Sequence, residues 1–267
     1  MAIRVHGSDV HVYTGSRAFD RTLASIVFVH GAALDHSVWA LQSRYFAWHG
    51  ANVLAVDLPG HGRSQGAPLP SIEAIADWIG AMLDAAAVPR ASLVGHSMGA
   101  LAVLECAARH PARVERIAML GPAVPMLVSD ELLAAARDDE QLAYDMITGW
   151  SFSAGKAIAS NPSPGMWMTG NAMRLMQRSK PGTLANDLLA CRNYANGLAA
   201  ASALACPAQL MLGMRDLMAP VRDTPPLIAA LRDVRVVKLA ETGHSLMAEQ
   251  PDAVLEAFKS FLPHRAA

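Results

Sequence analysis

Short apolar runs alternate with longer segments of helical periodicity along most of the chain. Near the N-terminus, residues 3–6 and 10–14 alternate apolar with polar side chains, as half-buried strands do. Six later runs are almost continuous in valine, isoleucine and leucine, which is typical of strands with helices on both faces of a parallel sheet. These runs span residues 25–30, 52–57, 91–95, 114–120, 208–213 and 234–239.

Amphipathic helices are predicted between these runs. One of them has apolar residues at i, i+3 and i+4 spacing from Ile72 to Leu83, with Ser71 placed to act as its N-cap. The last helix of the chain carries Pro251 in its first turn. Strands that alternate with helices predict an α/β fold, built as a doubly wound and mostly parallel sheet.

Residues 125–205 break this alternation, because they contain no strand pattern. Their helical periodicity is interrupted by the turn-forming stretch "NPSPGMWMTG". We therefore expect a helical cap over residues 125–205, inserted into a core formed by residues 1–124 and 206–267. The cap is rich in methionine, whose flexible and polarizable side chain suits an adaptable apolar wall. The candidate pocket residues of the cap are Trp150, Trp167 and Met168. Their alternative role is to pack the cap onto the core.

Composition narrows the class of protein. The 267 residues are 52% hydrophobic, enough to bury a large core in one domain or in a domain with an insertion. A net charge of -1 gives no reason to expect a nucleic-acid or acidic-membrane partner, so a small molecule is the expected partner of a monomer or homodimer. The three cysteines lack metal-ligand spacing and no apolar run reaches about 18 residues. We expect a soluble cytoplasmic protein with reduced thiols and neither a metal nor a cofactor.

The motif "GHSMG", residues 95–99, lies where an apolar run ends and an amphipathic helix begins. This G-x-S-x-G context predicts a tight, strained turn that raises the Ser97 hydroxyl above the strand ends. The flanking glycines Gly95 and Gly99 let neighbouring backbone approach where a side chain would collide. The start of the following helix favours negative charge nearby, so Ser97 is the candidate nucleophile.

A serine hydroxyl is a weak nucleophile that needs a base, and the base needs an acid to orient it. Asp216 and His244 follow two later apolar runs, in the order Ser, Asp, His. Both are expected at the carboxyl ends of parallel strands, at the same sheet edge as Ser97. The weaker alternative acids are Asp57 and Asp223, and Asp216 itself has the alternative role of an N-cap or ion-pair partner.

A tetrahedral oxyanion requires backbone N–H donors. Met98 supplies one by its position directly after the nucleophile, and Ala32 supplies the second from the turn after the run at residues 25–30. Gly31 permits that turn to be tight. Gly31 and the preceding His30 are also candidates for the substrate pocket.

Other polar residues of the motif loops and the cap are expected to have supporting roles. Because the serine needs only one base, the histidines of the motif loops should fix those loops by hydrogen bonds. They are His30, His61 and His96. The cap arginines 174, 178 and 192 have the chemistry to bind a carboxylate, but solvated helix faces are their expected place.

Taken in order, the motifs resemble those of the α/β-hydrolase superfamily over nearly the whole chain. The matching segments are "HG" at 30–31, "DLPGHGRS" at 57–64, "GHSMG" at 95–99, "GMRD" at 213–216 and "GHSLMAEQPD" at 243–252. The resemblance implies an eight-stranded sheet, a helical cap after the sixth strand and serine hydrolase chemistry. By position the chain is similar to the small bacterial esterases, lactonases and cofactor-free haloperoxidases.

The residues and the resemblance together predict a serine hydrolase that cleaves a small or medium apolar carboxylic ester through an acyl-enzyme. A lactonase, a thioesterase or a carbon–carbon bond hydrolase of the same fold are the alternatives within that chemistry. Two other classes stay open: a ligand-sensing protein with slow hydrolysis, and a lyase that acts on cyanohydrins with the same residues.

Overall fold

Eight strands form one sheet within residues 1–155 and 167–265, the part of the chain that this computed structural model describes. They are β1 (Ala2–Val5), β2 (Ser8–Tyr13), β3 (Ser25–Val29), β4 (Asn52–Val56), β5 (Ala91–His96), β6 (Val114–Leu120), β7 (Ala208–Gly213) and β8 (Val234–Leu239). Their order across the sheet is β1-β2-β4-β3-β5-β6-β7-β8. The pairs β1–β2 and β2–β4 are antiparallel and the others parallel, which confirms the predicted α/β fold and all eight predicted strands.

The described helices connect these strands and cover the sheet. They are α1 (Ala40–Trp48), α2 (Ile72–Ala85), α3 (Met98–Arg109), α4 (Asp130–Asp138), α5 (Glu140–Ser151), α6 (Met168–Met176), α7 (Thr183–Asn193), α8 (Gly197–Ala203), α9 (Pro225–Ala230), α10 (Leu246–Glu249) and α11 (Pro251–Lys259). The Ser71 hydroxyl accepts the Ala74 N–H at 3.2 Å, which confirms the predicted N-cap of α2. Pro251 opens α11, also as predicted. Among the described residues, none of the helices has both the length and the apolar character needed to cross a membrane.

Two hydrophobic layers enclose the sheet. Helices α2 and α3 pack on one face, and α1 and α11 pack on the other around Phe28, Trp39 and Phe258. Every residue of β3, β4, β5 and β7 is buried, as continuous apolar runs predict. In β8 that expectation is wrong, because β8 is an edge strand in which only Leu239 is fully buried. Its charged residues Arg235 and Lys238 suit an edge that must not pair with another chain.

Helices α4 to α7 pack together over the loop that follows β3. Their shared core includes Leu132, Tyr144 and Leu184, and it also contains Ala33 from that loop. Helix α8 packs instead against α3, and its Ala200 and Ala201 belong to the main core. Within the described part of residues 125–205 there is no strand. The cap boundaries stay a prediction, and residues 161–166 of "NPSPGMWMTG" lie outside the described residues.

Candidate active site

The turn between β5 and α3 explains why glycines flank Ser97. Ser97 itself has a φ of 53°, a conformation that is strained for a residue with a side chain. A Cβ atom on Gly95 would lie 2.1 Å from the carbonyl oxygen of Gly99. A Cβ atom on Gly99 would lie 2.4 Å from the carbonyl oxygen of Val29 in β3. Only glycine fits at both positions, since each contact is with backbone that cannot swing away.

The two other candidate residues of the predicted set meet beside this turn. Nδ1 of His244 lies 2.7 Å from Oδ2 of Asp216, and both side chains are almost completely buried. The other oxygen of Asp216 accepts the N–H groups of Met218 and Ala219, each at 2.8 Å. Three donors therefore hold this carboxylate in place. It can orient the imidazole and stabilise its charged form.

Asp216, and neither of the alternative acids, is hydrogen-bonded to His244, while its Oδ1 also caps the turn at Met218 and Ala219. Arg215 pairs with Glu241 rather than with Asp216. Asp57 accepts hydrogen bonds from His36 and Arg63 and not from His244. Asp223 is exposed beside Arg222.

The second ring nitrogen of His244 takes no part in the contact with Asp216. Within the described part of the chain, Nε2 is buried and has no hydrogen-bond partner. His244 and Ser97 line the same cavity. An imidazole that is held at Nδ1 and free at Nε2 can accept a proton from a neighbouring hydroxyl.

The loop after β3 runs directly beside Ser97. A Cβ atom on Gly31 would lie 3.3 Å from Cβ of Ser97, so glycine permits this close passage. The carbonyl of Gly31 accepts from Nδ1–H of His30 at 2.8 Å and from the N–H of Leu34 at 3.3 Å. In a trans peptide the next N–H points the opposite way, so the Ala32 N–H is directed away from His30. Met98 is the first residue of α3, where N–H groups have no partner inside the helix.

The cavity above these residues has a volume of about 360 Å³. Gly31, Ala32, Ser97 and His244 form its sheet side. Its remaining wall is largely apolar and comes from the cap and two loops, including Met126, Leu127, Leu132, Ile147, Trp150, Met176, Leu217 and Met218. Leu127 and Leu217 remain exposed, so an apolar rim leads into the cavity.

The structure places the predicted pocket residues in different environments. Gly31 and Trp150 line the cavity. Met168 lines a neighbouring cavity of about 340 Å³. The prediction is wrong for the other two: His30 is completely buried beneath the loop, and Trp167 has 74% of its surface exposed and lines neither cavity.

The model of the alpha/beta hydrolase family matches residues 26–257. The chain belongs to the alpha/beta hydrolase family. A pimeloyl-(acyl-carrier protein) methyl ester esterase from Aromatoleum aromaticum is 29% identical over 243 residues, 85% of this chain and 93% of that protein. A protein of the same name from Chromobacterium violaceum is 30% identical over 227 residues, 82% of this chain and 87% of that protein.

The solved structure of an enol-lactonase from Burkholderia xenovorans superposes on this hydrolase with a TM-score of 0.84. The two are 25% identical, and the match covers 98% of this chain and 99% of that one. The family assigns the chain to the hydrolases, and these relatives are named as esterases and a lactonase.

The motif-loop histidines of this hydrolase take up distinct hydrogen bonds. His30 accepts the Leu58 N–H at Nε2, while His96 Nε2 lies 2.9 Å from the carbonyl oxygen of His244. Burial and the neighbouring His61 lower the pKa of His30 to about 4. Burial and the neighbouring His244 lower the pKa of His96 to about 3. Both rings are therefore neutral near pH 7 and fix loops, as the sequence predicts.

One cluster among the described residues has the donor types of a metal site. Atoms of His11, His36 and Asp57 lie within 4.8 Å of one another. Asp57 already accepts the N–H groups of His36 and Arg63 and the ring Nδ1–H of His36. Burial raises the pKa of Asp57, but these hydrogen bonds outweigh it and lower the pKa to about 2. We assign the cluster to the support of the loops after β3 and β4.

The cavity residues that the sequence did not reveal lie both on helices and in loops of this hydrolase. Leu127 follows β6, and Leu217 and Met218 follow the candidate acid Asp216. The sequence does not distinguish Met126 from the other methionines of the cap. Exposed loop leucines have no periodic signal, so their place at the rim follows from the tertiary structure alone.

Proposed function

We propose that this hydrolase is a serine esterase with Ser97 as nucleophile, His244 as general base and Asp216 as the acid that orients it. The observation that carries the proposal is the environment of His244. Oδ2 of Asp216 lies 2.7 Å from Nδ1 of His244. Among the described residues, Nε2 of His244 has no hydrogen-bond partner, and His244 lines the same cavity as Ser97. That arrangement matches the roles needed for acyl transfer.

In the proposed mechanism, His244 takes the proton of Ser97 as the hydroxyl attacks the ester carbonyl. The N–H groups of Ala32 and Met98 stabilise the resulting oxyanion, where preorganised donors contribute most. His244 then donates its proton to the leaving alcohol, and an ester forms between Ser97 and the acyl group. Water activated by His244 attacks this acyl-enzyme and releases the acid.

The cavity favours a small or medium apolar carboxylic ester as substrate. A wall of methionine, leucine and tryptophan contributes little hydrogen bonding, and about 360 Å³ accommodates a ligand of modest size. The two relatives named as methyl ester esterases support an ester as the class of substrate. A lactone is the second candidate, because one of the solved structures that match over 98% of this chain is that of an enol-lactonase. Either substrate would react with the same residues.

The proposal includes a cytoplasmic location. Cys106, Cys191 and Cys206 are free, and burial raises the pKa of Cys106 to about 12. Free cysteines suit a reducing compartment, where disulfides rarely form.

The test is hydrolysis of p-nitrophenyl esters from acetate to decanoate by the wild type and by Ser97→Ala. Intact-mass measurement at short times follows the acyl-enzyme. The proposal predicts that the variant loses both turnover and the mass adduct. The chain-length optimum measures the depth of the pocket. Turnover that persists in Ser97→Ala would refute the nucleophile, and equal negligible rates in both proteins would favour a lactonase or a ligand-sensing protein.

A further inference from the structure

A second buried carboxylate lies next to the site but outside the proposed reaction. Asp187, on cap helix α7, has only 1% of its side chain exposed. Its Oδ2 accepts the N–H of Ala33 at 2.9 Å and lies 2.7 Å from Nε2 of His61. A buried charge is tolerated only when it is paired and hydrogen-bonded, and Asp187 meets both conditions.

The residue that Asp187 binds has an unusual backbone. Ala33 has a φ of 52°, in the left-handed region that residues with a side chain seldom adopt. Its N–H is held by Asp187, and its carbonyl oxygen accepts from the Ser179 hydroxyl at 2.9 Å. Both partners come from the cap, so the cap fixes the two polar groups of the one strained residue in this loop segment. Strained conformations persist only where the surroundings determine them in this way.

Ala33 directly follows the residue whose N–H is the proposed oxyanion donor. On the preceding side, His30 from the core holds the carbonyl of Gly31. On the following side, Asp187 and Ser179 from the cap hold Ala33. The residues on both sides of the Ala32 N–H are thus held by hydrogen bonds, on one side from the core and on the other from the cap.

His61 is the counter-ion of Asp187. Both of its ring nitrogens face oxygen atoms, at 3.0 Å from the carbonyl of Pro59 and at 2.7 Å from Asp187. Burial opposes the charge on this ring, but the hydrogen bond to Asp187 prevails and raises the pKa of His61. Both ring nitrogens of His61 thus point at acceptor oxygens, and a carboxylate that accepts from a cationic donor is the stronger acceptor for the Ala33 N–H.

We propose that Asp187, paired with His61, is a positioning residue that sets the oxyanion donor of Ala32 from the cap. The inference rests on the proposed serine mechanism. It means that the cap does more than enclose the substrate, since α7 also preorganises the catalytic loop.

The experiment compares Asp187→Asn, Ser179→Ala and the control Arg192→Gln with the wild type. Arg192 lies on the same helix α7, where it forms an exposed pair with Asp130 away from Ala33. Loss of one oxyanion donor costs about 100-fold or more in kcat, so misplacing it in Asp187→Asn should lower kcat about 10-fold to 100-fold. KM should change less than about twofold, because the donor acts on the transition state. Ser179→Ala should lower kcat in the same direction by a smaller factor, and Arg192→Gln should match the wild type.

The second readout is the affinity for phenylboronic acid, which forms a tetrahedral adduct with an active-site serine. The proposal predicts that this affinity falls in parallel with kcat. It is overturned if Asp187→Asn keeps wild-type kcat, if boronate affinity stays constant while kcat falls, or if Arg192→Gln shows the same loss. If Asp187→Asn does not fold, Ser179→Ala decides by the same two readouts. Turnover in Ser97→Ala would instead refute the serine mechanism itself, and the role of Asp187 with it.

Discussion

The sheet side and the cap side of the site are built in different ways. On the sheet side, Ser97, Asp216 and His244 each follow a strand end within a few residues. On the cap side, the wall comes from helices and loops that are far apart in the chain. The geometry of the proposed reaction is thus encoded locally, whereas substrate fit and support of the oxyanion loop depend on long-range packing.

Among the variants that keep Ser97, Asp216→Asn should produce the largest loss of activity. Oδ1 can still accept the N–H groups of Met218 and Ala219, so the loop should keep its shape. An amide NH₂ facing His244 would favour the tautomer with its proton on the wrong nitrogen. We expect kcat to fall by roughly 10³-fold to 10⁴-fold in steady-state ester hydrolysis.

Asp223, the exposed alternative acid, provides the matched control for Asp216→Asn. Asp223→Asn removes a carboxylate of the same type at an exposed position, and its activity should equal that of the wild type. A loss in Asp216→Asn smaller than about tenfold would show that the orienting acid lies elsewhere.

Activity should fall in acid, because the general base must be unprotonated before it can accept the proton of Ser97. His30 and His96, with pKa values of about 4 and about 3, stay neutral from pH 5 to 8. Neither ring therefore contributes to an acidic limb between pH 5 and 8, where kcat/KM should rise by up to about tenfold per pH unit before it levels. A rate that is constant from pH 5 to 8 would contradict His244 as the base.

The same buried histidines make stability depend on pH, which the activity profile must take into account. Their pKa values lie below the ordinary 6.5, so the unfolded chain binds more protons than the native one between about 4 and 6.5. The free energy of unfolding should therefore fall as the pH drops through this window. Near-UV circular dichroism at each pH separates this effect from the titration of His244.

Gly99→Ala tests the close packing beneath Ser97. The new Cβ would meet the carbonyl oxygens of Val29 and His30 at 2.4 and 2.6 Å, and neither can move without shifting β3 or its loop. We expect the free energy of unfolding to fall by about 1–3 kcal/mol in urea denaturation, with loss of activity. Unchanged stability and activity would show that the turn is less constrained than its geometry implies.

Trp150→Ala tests the opposite side of the site. Removing this wall residue enlarges the cavity without touching Ser97, Asp216 or His244. The ratio of kcat/KM for long acyl chains to kcat/KM for short ones should rise by about threefold to tenfold. This is the size of effect that a few extra methylene groups have on binding in an apolar pocket. The acidic limb should keep its position. A shifted limb would mean that the cap wall also tunes the base.

The difference between the two sides also explains which features the sequence predicts. The strands and the positions of Ser97, Asp216 and His244 follow from short-range pattern and motif order. Asp187 and Ala33 are 154 residues apart in the chain, and Asp187 and His61 are 126 residues apart. No local sequence pattern can therefore predict these two contacts. Trp167 and Trp150 look alike in sequence, yet only the tertiary packing of the cap places Trp150 in the wall.

Gly149→Ala should have the smallest effect and is the cap counterpart of Gly99→Ala. Gly149 lies in the exposed part of α5, and a Cβ there would meet nothing within 4 Å. Alanine loses less backbone entropy than glycine in a helix, so the free energy of unfolding should rise by about 0.5–1 kcal/mol. Urea denaturation measures the change beside that of Gly99→Ala. Opposite signs for the same substitution would establish that glycine is required beneath Ser97 and is dispensable in the cap, whereas destabilisation at both positions would refute that contrast.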